Sequence, residues 1–160
     1  MKITPGEIEK YLKLLEETLH SIARAIKDID AASLQDKPDE KIWSVSDILA
    51  HLRSCADVWG DSIAAMLTEN IPTLPDLHPR QWIKETNYPE LPFHESFQAF
   101  IKQRERLLIT LKSLSFEDWS RAAMIGGRKH TVFTQARRMA KHEKEHCEQI
   151  ESLLRSAARR

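Results

Sequence analysis

Only four of the 160 residues are glycine, and stretches that alternate apolar with polar side chains are nearly absent. A sheet protein needs both turns and alternation, so that class is excluded, and the dominant hydrophobic period of three to four residues predicts an all-α fold. Cysteine is almost missing as well: Cys55 and Cys147 cannot build a disulfide framework, and two thiols imply a reducing, cytoplasmic setting. There is no excess of charge, with 24 basic and 24 acidic residues, so no overall field draws the chain to nucleic acid or to an anionic membrane. No apolar run is long enough for a signal peptide or a membrane span. The length suits a single domain over 1–160 that buries about two-thirds of the surface of its unfolded chain.

What is present is a series of amphipathic helices. Thr4-Pro5-Gly6-Glu7 is a helix start, with Thr4 as cap and Glu7 completing a capping box, and Ile8, Leu12, Leu15, Leu19, Ile22, Ile26 and Ile29 trace one inward stripe ending near Ala31 or Ala32. A second box, Ser44-Val45-Ser46-Asp47, opens a helix whose buried face runs through Ile48, Leu52, Cys55, Trp59, Ile63 and Met66. Five of seven prolines lie between Ile71 and Pro92, which marks a long connection. A third long helix is expected from Phe93 to Leu114, then a short helical turn in SFEDWSR. Gly126-Gly127 breaks the chain, and Thr131 caps a last helix from Val132 to about Ala157. Four long helices imply a four-helix bundle, and the long crossover can carry the chain the full length of the bundle, making the second and third long helices parallel.

Within this frame the histidines stand out. His142 and His146 are four residues apart, so on a helix they share a face. They fall in the arc of Val132, Ala136, Met139, Ile150 and Leu153, where an imidazole needs a hydrogen-bond partner, a ligand or a metal. His51 sits at the border of the apolar arc of its helix, facing either inward or sideways into a groove, and Asp47 one turn earlier is an alternative partner for it. If His51 faces the last helix, three neutral nitrogen ligands can surround a divalent ion and leave a position open.

Trp43-Ser44 leading through Asp47, Ile48 and Leu49 to His51, together with His142, His146 and Gln149-Ile150, resembles the signature of the DinB/YfiT-like superfamily. The resemblance implies an up-down-down-up four-helix bundle holding a divalent metal, zinc or nickel, on His51, His142 and His146. It also implies a small-molecule substrate. Relatives include transferases that attach a low-molecular-weight thiol such as bacillithiol or mycothiol to an electrophile, so a thiol S-transferase is the expected activity. A metal-dependent hydrolase and a non-catalytic metal-binding or small-ligand-binding bundle of a stress response are the alternatives. Relatives often pair through helix faces, so the resemblance allows a homodimer.

Asp47, Gln149 and Cys55 are the residues expected to support the imidazoles, with Gln149 favoured and Cys55 equally readable as a small buried hydrophobe. Cys147 should pack against a neighbouring helix. Glu143, Lys144 and Glu145 read as a solvated face, and His20, His78, His94 and His130 as surface or loop residues. Trp82 and Tyr88 on the crossover either roof the cleft or anchor the crossover to the bundle.

Overall fold

Capping side chains set where the helices begin. In the computed structural model, which describes residues 2–159, Thr4 Oγ1 accepts the Glu7 N–H and starts α1 (Pro5–Ile26). Ser44 and Asp47 exchange both bonds of a capping box at the start of α3 (Val45–Thr68). Thr131 and Thr134 do the same for α6 (Val132–Ala158). The fourth long helix, α5 (Phe93–Lys112), follows Pro92 directly. The first helix stops earlier than its apolar stripe suggests. Asp28 turns the chain with a φ of 63°, and Asp30 then caps a separate short helix, α2 (Ala31–Gln35), by accepting the Ser33 N–H. That local bond gives the backbone an alternative to continuing the helix.

Contacts between the long helices fix their directions. Along α1 and α6, Tyr11 meets Phe133 and Thr18 meets Glu143, so both indices rise together and the helices are parallel. Between α3 and α6, His51 meets His142 while Ser62 meets Gln135, an antiparallel pairing. Arg53 bonds Ser96 and Asp57 bonds Gln103, so α3 and α5 are parallel. The result is an up-down-down-up four-helix bundle with the long crossover between α3 and α5.

The bundle also carries a small three-stranded sheet that the sequence did not announce: β1 (Thr73–Leu74), β2 (Ala122–Ile125) and β3 (Arg128–Thr131). Strands β2 and β3 form a hairpin around Gly126-Gly127, whose φ values of 58° and 75° suit a two-residue turn that needs two left-handed residues. β1 pairs in parallel with β2 and ties the crossover to this hairpin. Strands of two and four residues are too short to display a period of two.

The rest of the crossover is pinned at one carboxylate. It forms α4 (Pro79–Trp82) and two 3-10 turns, Ile83–Glu85 and Tyr88–Glu90. Asp57 on α3 accepts from Trp82 Nε1 at 2.9 Å, from the Tyr88 hydroxyl at 2.6 Å, and from Gln103 Nε2 at 2.7 Å. Burial, with the Asp57 bond adding to it, pushes the Tyr88 phenol up to about 12, so it stays a donor at neutral pH. Trp82 and Tyr88 thus anchor the crossover. Hydrogen bonds to a charged acceptor contribute about 1.5–3 kcal/mol each and are not additive. Asp57→Ala should therefore open residues 79–90 to limited proteolysis while the helices stay protected, and unchanged cleavage kinetics would contradict this anchoring.

Among the described residues the core holds one buried ion pair. Arg104 on α5 and Glu143 on α6 are 1% and 0% exposed. Arg104 Nη1 and Nη2 meet the two carboxylate oxygens at 2.7 and 2.5 Å, Thr18 donates to Oε1 at 2.9 Å, and Arg104 Nη1 also reaches the Leu15 carbonyl. Glu143 is therefore not on the solvated face that its neighbours Lys144 and Glu145 occupy. The inward line of α6 passes through Ala136, Met139, Ala140, Glu143, Cys147 and Ile150. The histidine arc is rotated to the flank of that line, toward α3.

Candidate metal centre

The rotation brings three imidazoles together. His51, on the second turn of α3, and His142 and His146, one turn apart on α6, place their Nε2 atoms toward one another. His142 Nε2 is 3.2 Å from His51 Nε2 and 3.1 Å from His146 Nε2, and one ligand atom from each ring lies within 4.8 Å of the other two. His51 is buried, while His142 and His146 are half-buried. Trp43 flanks the cluster on one side, its ring 5.0 Å from His51 and stacked at 6.3 Å on His146. Trp59 closes the other side at 5.2 Å from the His142 ring.

Hydrogen bonding alone does not satisfy this cluster. His142 Nε2 faces two other Nε2 atoms and holds at most one proton or one lone pair, so it can bond only one of them well. Among the described residues its Nδ1 is buried without a partner. On His146 the Nδ1–H donates to Gln149 Oε1 at 2.8 Å, which leaves the Nε2 lone pair directed into the cluster. Three converging lone pairs suit a divalent cation: tetrahedral bonds of about 2.0–2.1 Å put ligand nitrogens about 3.3 Å apart, close to the two separations from His142, with the third pair within 4.8 Å. The residues present fit such an ion.

Electrostatics point the same way. Burial first, and then the neighbouring imidazoles, lower His51 to about 4; burial, His146 and Arg138 lower His142 to about 4. Both rings are neutral at pH 7, as metal ligands must be. The sign of the linked stability follows. An unfolded histidine takes up its proton near 6.5, so between about pH 6.5 and 4 the unfolded chain binds more protons than the folded one. Stability contributed by these rings is then full above 6.5 and is lost as the pH falls toward 4. Metal-free protein should show a falling thermal midpoint across that window, and the double variant His51→Gln, His142→Gln a flatter profile. Parallel profiles would contradict neutral burial of the two rings.

The other expected supports are only partly brought in. Gln149 contacts His146 directly. Cys55 Sγ lies 3.6 Å from His51 Nε2, but burial, followed by the Glu143 charge, pushes its thiol up to about 12, so it packs as a neutral side chain. Asp47 does not reach the cluster through hydrogen bonds: its Oδ2 accepts from the Ser44 N–H and lies 3.2 Å from Lys37 Nζ. Against the upward push of burial, those two partners hold its carboxyl below the usual range. Sequence reasoning missed Trp59, placed only in a core stripe, and Arg138, which stands 5.1 Å over the Trp59 ring one turn before His142.

No curated protein sequence matches the chain. Among solved structures it is similar to YfiT from Bacillus subtilis, described as a probable metal-dependent hydrolase with an unusual four-helix bundle topology. The TM-score is 0.80 at 17% sequence identity, over 98% of this chain and 91% of that one, a likeness of fold. The sequence model of the DinB superfamily matches residues 14–150, and the chain belongs to that superfamily.

Proposed function

We propose that this protein is a metal-dependent enzyme in which His51, His142 and His146 hold a zinc or nickel ion, and that it transfers a low-molecular-weight thiol to a small electrophile. The observation that carries the reading is the convergence of three Nε2 atoms from two helices in a half-buried position. Three protein nitrogens leave a coordination position for a reactant, and an ion held by neutral ligands lowers the pKa of a thiol or water bound there.

The chain's own residues argue for an external nucleophile. Burial, ahead of nearby carboxylates, pushes both Cys55 and Cys147 up to about 12, so neither supplies a thiolate at neutral pH. Of the carboxylates nearest in sequence, Asp47 is committed to Ser44 and Lys37, Glu143 to Arg104 and Thr18, and Glu145 stands on the exposed face of α6. A free thiol ionises near 8.5 and needs only a modest further shift, whereas water starts at about 15.7. This difference favours a thiol over water at a centre without a nearby free carboxylate base. The two cysteines are free and buried, in keeping with a cytoplasmic setting.

Hydrolysis is the second reading, supported by the description that YfiT carries. Metal-loaded and chelator-treated protein should be assayed with a panel of low-molecular-weight thiols against an electrophile such as a halogenated nitroarene, and separately with ester and amide substrates. Metal-dependent conjugate formation is the expected result. Metal-dependent hydrolysis without conjugation would replace the transferase reading.

A further inference from the structure

The seam that holds the histidines continues toward the other end of the bundle. On α3 the residues facing α6 are His51, Cys55, Trp59 and Ser62; on α6 the matching series runs backward through His146, His142, Arg138 and Gln135. Each step is three or four residues, so both series keep to one face. Beyond Trp59 the seam opens into a cavity of about 230 Å³, which Leu74, Leu77 and Trp82 of the crossover also line. Trp59 belongs to both places, lining this cavity and lying edge-on to the His142 ring.

The polar groups of the cavity are mostly acceptors. Gln135 is 2% exposed, and Ser62 fixes the orientation of its amide: the Ser62 hydroxyl donates to the Trp59 carbonyl, so it accepts from Gln135 Nε2 at 2.9 Å. This leaves Gln135 Oε1 buried and without a partner among the described residues, an arrangement that costs free energy unless a donor arrives. Asp61 and Asp76 line the same cavity, and neither has an ion pair or side-chain hydrogen bond among the described residues. Asp61 lies ten residues past His51, about 15 Å along α3. Arg138 also lines the cavity, its guanidinium held over the Trp59 ring at 5.1 Å, so the one cation of the lining sits beside Trp59 while the acceptors are Asp61, Asp76 and Gln135.

We infer that this cavity is a subsite for the apolar, amine-bearing end of a small-molecule substrate whose reacting end lies at the histidine cluster, which rests on the metal-dependent function proposed above. The Trp59 and Trp82 rings take the apolar body, while Asp61, Asp76 and Gln135 Oε1 take the N–H donors. Gln135 lies seven residues, about 10 Å, from His142 along α6 and Asp61 about 15 Å from His51 along α3, so such a substrate spans about 10–15 Å.

The test uses metal-free protein first, so that it does not depend on the ion. Calorimetry and tryptophan fluorescence should show saturable binding of 3-phenylpropylamine at least tenfold tighter than that of 3-phenylpropionate. Asp61→Asn with Asp76→Asn, both at exposed positions, should erase that preference while zinc binding stays unchanged. Gln135→Leu, checked for folding by circular dichroism, should weaken the amine severalfold. A second set of probes that join the amine to a thiol across about 10–15 Å should include one that binds zinc-loaded protein at least tenfold tighter than metal-free protein. Failure to take up zinc, with amine binding intact, would overturn the metal-dependent function and leave the cavity as an amine site. Tighter binding of the carboxylate, full amine binding by the double variant, or no saturable binding would overturn the subsite. So would the absence of any zinc-dependent gain for the joined probes in protein that does take up zinc.

Discussion

Alanine in place of His142 is expected to lower the affinity for a divalent ion by more than a hundredfold. His142 Nε2 is the nitrogen in close contact with both other rings, so its loss removes the centre of the set. Loss of a group that merely orients a ligand costs about 10–100-fold, and that smaller loss is the expectation for Gln149→Leu, which removes the Oε1 that orients His146. The measurement is a competition titration against a chromophoric zinc chelator, with His20→Ala, at an exposed position on α1, as control. Unchanged affinity in the His142 variant would remove this residue from the ligand set.

The second large effect lies one residue away and has a different cause. Glu143→Ala strands the Arg104 guanidinium in a site 1% exposed, with the Leu15 carbonyl, the Met139 sulfur and the Phe100 ring left as its partners among the described residues. Removing one member of a buried pair typically destabilises by about 3–5 kcal/mol, because the remaining charge is uncompensated. Replacing both members by apolar residues, Arg104→Met with Glu143→Leu, should cost much less, since the pair's desolvation penalty disappears with its attraction. Urea unfolding of the single and double variants checks this. A single variant that loses less than about 1 kcal/mol would show that Arg104 finds another partner or reaches water.

The two charged residues also show what the sequence could and could not reveal. Helix starts were legible because caps are local: Thr4, Ser44 and Thr131 do what their types and spacing suggest. Bundle order was legible from the prolines that forbid a tight turn between α3 and α5. The inward face of α6 was misjudged by a fraction of a turn, since Glu143 was discounted on charge. A signal existed: Arg104 lies four residues after Phe100 and four before Leu108, on the same face of α5 as both. An arginine in one stripe and a glutamate beside another are a pair waiting for a tertiary contact, which periodicity alone does not join. The histidine trio was legible because His142 and His146 share a face and His51 follows a recognisable Trp-Ser start. The supporting residues were less so. Asp47 is near His51 in sequence, but its carboxylate caps the helix instead, and sequence proximity cannot separate those roles. Trp59 and Arg138 take their place beside the cluster only when α3 and α6 are laid antiparallel.

The most direct test of the three-histidine centre is X-ray absorption spectroscopy, with metal analysis, on protein prepared without chelator or affinity nickel and reloaded with zinc. One ion per chain is expected, surrounded by three imidazole nitrogens and one exchangeable light ligand that gives way to sulfur when a low-molecular-weight thiol is added. Failure to retain an ion, or a sulfur ligand already present before any thiol is added, would contradict an open site built from His51, His142 and His146.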